Sequence, residues 1–259
     1  MRIGLIGAGA IAHYLLEEIN QKKHEQLTIT SVFVQNYEKY KKLEATYDTT
    51  LYTDFDAFLQ SNVDIVVEAA TVDAVKELLP ATLRQQNALV ISIGALANEK
   101  FLEKIMQIAK TNQTMVYLPS GAIGGLDLVQ NAAAGRTLDE VSLVTRKPAH
   151  TLVAETVKEP TVVFQGIATE AIKKYPKNMN ISIALALAGI GFEKTNVQLI
   201  ADPTIDENMH TIYMEGDFGS ASFTIKNQAL TTNPNTSYLA AISIIGTLTR
   251  LTKQMKIGI

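Results

Sequence analysis

No cysteine occurs among the 259 residues, which excludes disulfides, thiolate metal sites and a thiol nucleophile together. A reducing compartment, the cytoplasm, fits that absence. Charge of one sign is also lacking: 23 basic against 26 acidic residues leave a formal net charge of -3, so neither nucleic acid nor an anionic membrane is an expected partner. Lys39, Lys41 and Lys42 are interleaved with glutamates and read as a solvated helix face. The longest apolar run, residues 181–190, falls short of the roughly 20 residues that a membrane span needs. No charged leader followed by an apolar core is present, so no signal peptide is expected. Absent too are HExxH, a carboxylate series with calcium-loop spacing and a GxSxG elbow, so no metal is expected and a serine hydrolase has no support.

What the chain does have begins at its first residues. Ile3, Leu5 and Ile6 form a short apolar strand running into Gly7-Ala8-Gly9-Ala10-Ile11-Ala12 and then a helical pattern of Tyr14, Leu15, Leu16 and Ile19. Strand, glycine turn and helix in that order predict a dinucleotide pyrophosphate site. Gly7 permits the tight turn, Gly9 has no Cβ to hold the phosphates away, and Ala10 and Ile11 open a helix whose first N–H groups are unpaired. Ala12 stands where a third glycine is usual, and its small size keeps strand and helix close. The second strand, residues 28–34, ends in Gln35-Asn36 rather than in the acid that accepts from an NAD ribose. Neutral amides do not repel a 2′-phosphate, and Lys39 and Lys42 are placed to neutralise one, so the expected cofactor is NAD or NADP.

Helices are expected over residues 37–45, 54–60, 72–85 and 99–110, the last capped by Asn98, and strands over 51–53, 63–67, 88–93 and 114–118. This β-then-α rhythm predicts an α/β fold: an N-terminal Rossmann-type doubly wound parallel sheet over residues 1–119, completed by a C-terminal helix within 237–259. The rhythm breaks at Pro119-Ser120-Gly121-Ala122-Ile123-Gly124-Gly125. Beyond it strands dominate (140–145, 161–165, 196–201, 209–215, 221–226), with helices at 126–134, 168–174 and 179–188. That pattern predicts a second, α+β domain over 120–236 for substrate and oligomerisation.

A hydride-transfer enzyme needs a proton carrier that titrates near neutrality, which favours histidine. Of the four histidines, His13, His24 and His150 read as surface or capping residues. His210 opens a strand beside Asn208 in the domain that should supply the substrate. Substrate carboxylates call for a cation or clustered N–H groups. Arg146, Lys147 and Lys177 are secondary candidates, and the 120–125 turn running into a helix ranks above them.

Taken together, these segments resemble the L-aspartate dehydrogenase family. The resemblance is carried by the glycine turn, Val66-Val67-Glu68-Ala69-Ala70, Ser92-Ile93-Gly94-Ala95-Leu96 and Ser120-Gly121-Ala122-Ile123-Gly124-Gly125-Leu126-Asp127. It continues through Thr145-Arg146-Lys147-Pro148, Lys177-Asn178-Met179-Asn180, Ala201-Asp202-Pro203, Asn208-Met209-His210 and Thr236-Ser237-Tyr238. It implies NAD(P)-dependent oxidation of L-aspartate to iminoaspartate, which hydrolyses to oxaloacetate or feeds NAD synthesis, and a homodimer or higher homo-oligomer built through the second domain. It also implies His210 as the catalytic residue and dinucleotide contacts at Ala122 and Asn180. Ser120, Gly121, Lys177 and Asn178 are the expected substrate-binding residues. The alternatives are a dehydrogenase of the same plan acting on another small polar acid or alcohol, such as homoserine, and a dinucleotide-binding protein without turnover.

Overall fold

Ile3, Leu5 and Ile6 are buried along strand β1 (Arg2–Ile6), and alternation sends them to two different cores. Ile3 and Leu5 pack with Leu15, Leu16, Ile19, Ile244 and Leu248, whereas Ile6 packs with Phe58, Leu59 and Val66. A strand apolar on both sides belongs to a parallel sheet covered on both faces. The computed structural model describes residues 1–257, with the side chains of Lys177, Pro234 and Asn235 outside the description. Two compact units divide the chain: Met1–Pro119 with Ala241–Lys256, and a second built on Ser120–Ala240.

In the first unit β1 is joined by β2 (Thr28–Phe33), β3 (Thr50–Tyr52), β4 (Ile65–Glu68), β5 (Ala88–Val90) and β6 (Val116–Tyr117). The six strands lie parallel in the order β3-β2-β1-β4-β5-β6. The direction of winding reverses between β1 and β4, so a crevice opens at their carboxyl ends. The intervening helices are α1 (Ala10–Leu16), which widens into a further turn at Glu17–Gln21, α2 (Tyr37–Tyr40), α3 (Lys42–Tyr47), α4 (Phe55–Leu59), α5 (Val72–Thr82) and α6 (Glu99–Asn112). Asp54, Thr71 and Asn98 cap α4, α5 and α6 by accepting from Ala57, Ala74 and Phe101. The helix expected over 37–45 is divided at Lys41. The strand expected to reach residue 93 stops at Val90, because Ser92 turns its N–H and hydroxyl toward Glu68.

The second unit opens with α7 (Leu126–Ala134) and a five-stranded mixed sheet of β7 (Glu140–Pro148), β8 (Thr161–Ile167), β9 (Thr195–Asp202), β10 (Asn208–Gly216) and β11 (Gly219–Asn227). Its order is β11-β10-β7-β9-β8, with only β7 and β9 parallel. One face is apolar: Val141, Leu143, Ile212 and Met214 pack with Val129 of α7 and Leu185 of α9 (Asn180–Ala188), and α8 (Ala168–Lys174) supplies Ala168 and Ala171 to a neighbouring cluster. A short hairpin of β12 (Ala229–Leu230) and β13 (Asn233–Ser237) leads into α10 (Tyr238–Thr252). The seam between units falls inside α10, after Ala240, rather than at residue 237. Its first turn is held by the second unit, where Tyr238 N–H donates to Gln228 O and Ala240 N–H to Ser237 Oγ.

Candidate active site

In the first unit the glycine turn leaves β1 with Gly7 at φ +100°, and its N–H donates to Phe33 O at 3.0 Å. A Cβ on Gly7 would lie 2.8 Å from Ala69 O, so the turn needs glycine both for its dihedral and for its close approach to the chain after β4. Gly9 differs: a Cβ there meets nothing within 4 Å. It caps α1 without any side-chain hydrogen bond, and Ala10 and Ile11 follow with N–H groups at the positive end of the helix. A cavity of about 470 Å³ lies against Gly7, Ala8 and Gly9, reaching Gln35, Asn36, Lys39 and Tyr40 on one side and residues 69–71 on the other. An open cradle of backbone, with a neutral amide and a lysine where the ribose belongs, fits a dinucleotide.

Sequence reasoning gave no role to Glu68, which is 3% exposed at the end of β4. Its carboxylate accepts from Ala70 N–H at 2.8 Å, from Ser92 N–H at 3.0 Å and from Ser92 Oγ at 2.9 Å. Burial raises its pKa, opposed by these hydrogen bonds. The side chain clamps together the loops that leave β4 and β5 beside the glycine turn.

In the second unit, the apolar face of the sheet turns polar at one end. Along β7, Val141 and Leu143 give way to Thr145 and Lys147, and along β10, Met214 and Ile212 give way to His210. Strand pairing sets His210 opposite Thr145 on one side and Ile225 on the other. The imidazole is 4% exposed, and its Nδ1 lies 3.0 Å from Thr145 Oγ1. Burial, assisted by the positive charge of Lys147, lowers its pKa to about 4, so the ring is neutral at neutral pH. Lys147 Nζ donates to Asn178 Oδ1 at 2.6 Å, fastening the turn that precedes α9 to this end of the sheet. Burial lowers the lysine pKa as well.

The 120–125 turn reaches the same end of the sheet through Asn227. This residue, 4% exposed and paired with Asn208, donates from Nδ2 to Ala122 O at 2.9 Å and accepts from Ser237 Oγ at 2.7 Å. Gly121 and Gly125 adopt φ of +64° and +75°, and a Cβ on Gly125 would meet the Phe223 ring at 2.8 Å. Ser120, Gly121, Ala122, Asn178 and His210 therefore belong to one end of one sheet, with Asn180 exposed in the first turn of α9. Lys177, expected at the substrate, has its side chain outside the described residues.

Arg146, a sequence candidate for carboxylate binding, projects by strand alternation from the face opposite Lys147. Its Nη1 bonds Asp202 at 3.0 Å, and Asp202, further held by Thr204, has its pKa lowered by these contacts. The guanidinium is thus committed to the protein. His13 makes an edge contact with Tyr47, His24 Nδ1 accepts from Gln26 N–H, and His150 is exposed. Sequence reasoning gave no role to Asn227, and none to Thr145 beyond its place in the Thr145-Arg146-Lys147-Pro148 stretch. The alternation of β7 down to Lys147 is the pattern that points to Thr145.

Comparison with known proteins adds three findings. The family profile described as "Aspartate dehydrogenase, C-terminal" matches residues 127–251, and "Homoserine dehydrogenase, NAD binding domain" matches residues 7–119. The L-aspartate dehydrogenases of Methanocella arvoryzae and Methanosarcina barkeri are 38% and 36% identical to this chain, over 99% and 100% of it and 99% of their own lengths. The crystal structure of aspartate dehydrogenase from Thermotoga maritima covers 99% of both chains at 30% identity, with a TM-score of 0.81.

Proposed function

The chain belongs to the L-aspartate dehydrogenase family and catalyses NAD(P)-dependent oxidation of L-aspartate; from that premise we propose that His210 is its catalytic residue. The observation that carries this assignment is a neutral imidazole, oriented through Nδ1 by Thr145 Oγ1 at 3.0 Å, at the polar end of an otherwise apolar sheet face. Ser120, Gly121 and Asn178 line the substrate, and Lys177 is proposed beside them. The dinucleotide contacts proposed are Gly7, Gly9, Ala10 and Ile11, with Ala122 and Asn180 as further ones.

The bound dinucleotide supplies the hydride acceptor, nicotinamide C4. The chain's own residues manage protons and position. With Nδ1–H donating to Thr145 Oγ1, the Nε2 lone pair of His210 accepts the proton that the amine gives up as the Cα–N bond becomes double. Nε2 passes that proton to solvent, the one proton released overall; it then takes a proton from the water that adds to the imine carbon and returns it to nitrogen as the C–N bond breaks to release ammonia. Aspartate, water and NAD(P)+ become oxaloacetate, ammonium, NAD(P)H and one proton.

Released before hydration, iminoaspartate is a precursor for nicotinamide dinucleotide synthesis, and this use is proposed in a cytoplasmic enzyme. The absence of cysteine supports that compartment, and no helix among the described residues is long and apolar enough to cross a membrane. A homodimer through the second unit is also proposed, supported by the exposed face of β10 and β11.

His210→Ala is expected to lower kcat by about 10²-fold or more with the dissociation constant for NAD(P)H unchanged. Near-normal turnover in that variant would remove His210 from the mechanism. A homoserine dehydrogenase reading draws only on the profile over residues 7–119, the cofactor half. Assay of reduced nicotinamide with aspartate, homoserine and alanine separates the two, and aspartate must be best.

A further inference from the structure

Lys147 presents a positive charge that no carboxylate among the described residues answers. It projects from the same face of β7 as Thr145, two residues further along, and Thr145 is the hydrogen-bonded partner of His210. Among the described residues its hydrogen bond goes to a neutral acceptor, Asn178 Oδ1. The ion pairs of the described residues leave it out, while its neighbour Arg146 is taken up by Asp202 on the opposite face. Withdrawing an ammonium from water without supplying a counter-charge is costly, and a fold that retains such a group leaves the counter-charge to a ligand. The depressed lysine pKa and the effect of its charge on the imidazole agree with that position.

We propose that Lys147 binds a carboxylate of the dicarboxylate substrate and so sets the preference for an acidic amino acid, with Asn178 as the positioning residue that aims its ammonium. The inference rests on the reading of the enzyme as an aspartate dehydrogenase. An ammonium has three N–H donors, and with one given to Asn178 two remain for a carboxylate. A substrate anchored here has its amine within reach of the proton acceptor two residues back along the sheet face, which neither Arg146 nor a surface lysine offers.

The test is Lys147→Met, which keeps the length of the stem and removes the charge, with Lys147→Gln as a second variant should the first fold poorly. KM for aspartate and the inhibition constant of succinate, an inert dicarboxylate, are measured at saturating dinucleotide. Both are expected to rise by about 10²-fold, the loss typical of a desolvated charge partner. Lys147→Met stays folded by circular dichroism, its affinity for NADPH changes far less than its affinity for succinate, and Lys147→Arg recovers part of the succinate affinity. With asparagine as substrate KM is expected to be unchanged by the substitution, which assigns the contact to the β-carboxylate; a parallel rise would place it at the α-carboxylate that every amino acid carries and would overturn the preference assigned to Lys147. Succinate inhibition that is the same in a folded Lys147→Met protein overturns the inference. Failure of the parent enzyme to oxidise aspartate overturns instead the reading beneath it.

Discussion

His210 owes its neutrality to where the fold puts it. A histidine's ordinary pKa of 6.5 falls to about 4 because burial penalises the imidazolium and Lys147 adds repulsion. Between those two values the unfolded chain binds a proton that the folded chain refuses, so stability must decline as pH drops from 6.5 toward 4. Each unit of pKa is worth about 1.4 kcal/mol, which makes the histidine's share on the order of 3 kcal/mol across the window. His210→Gln should therefore flatten the acid side of the stability profile. Urea denaturation of both proteins at pH 7.5 and pH 4.5 reads this directly, and equal acid losses in the two would refute it. Glu68 works in the other direction. Its raised pKa makes its contribution greatest at low pH and weaker as pH climbs through the folded-state value, so the two residues oppose each other on acidification.

The strand, turn and helix that begin the chain put two glycines to different uses, and substitution should separate them. Gly9→Ala places a methyl group in open space on the wall of the cavity, so the thermal midpoint should hold while the dissociation constant for NAD(P)H rises about tenfold or more. Gly7→Ala forces a side chain to φ +100° and against Ala69 O, so it should lose about 1–3 kcal/mol of stability together with binding. Calorimetric melting and dinucleotide titration of both variants check this, and a Gly9→Ala protein that binds as tightly as the parent would mean that the phosphates lie elsewhere. This element was legible because its chemistry is local: glycine spacing, an apolar strand and a helix start lie within a dozen residues. The clamp at Glu68 was not, since its partners Ala70 and Ser92 are brought together only by the pairing of β4 with β5.

For the molecule as a whole, the outer face of β10 and β11 carries Tyr213, Ser222 and Thr224 in exposed positions, with Tyr213 50% exposed. If the second unit forms the proposed dimer through this face, sedimentation equilibrium will give twice the 28.3 kDa chain mass, and Tyr213→Glu will shift it toward monomer. A parent that sediments as a monomer at micromolar concentration removes the proposal. Composition, hydrophobic period and punctuation determined on their own the alternation of strands and helices to residue 118, the break at the 120–125 turn, the strand-rich second half and the candidacy of His210, because each is written in neighbouring residues. Tertiary structure decided what those residues do. Only the register of β7 against β10 sets Thr145 beside His210, only alternation across β7 sends Arg146 to Asp202 and leaves Lys147 with no counter-charge among the described residues, and only the hydrogen bonds of Asn227 bring the 120–125 turn to the same end of the sheet. Pairings between residues tens of positions apart depend on the folded backbone, and no local pattern in the chain encodes them.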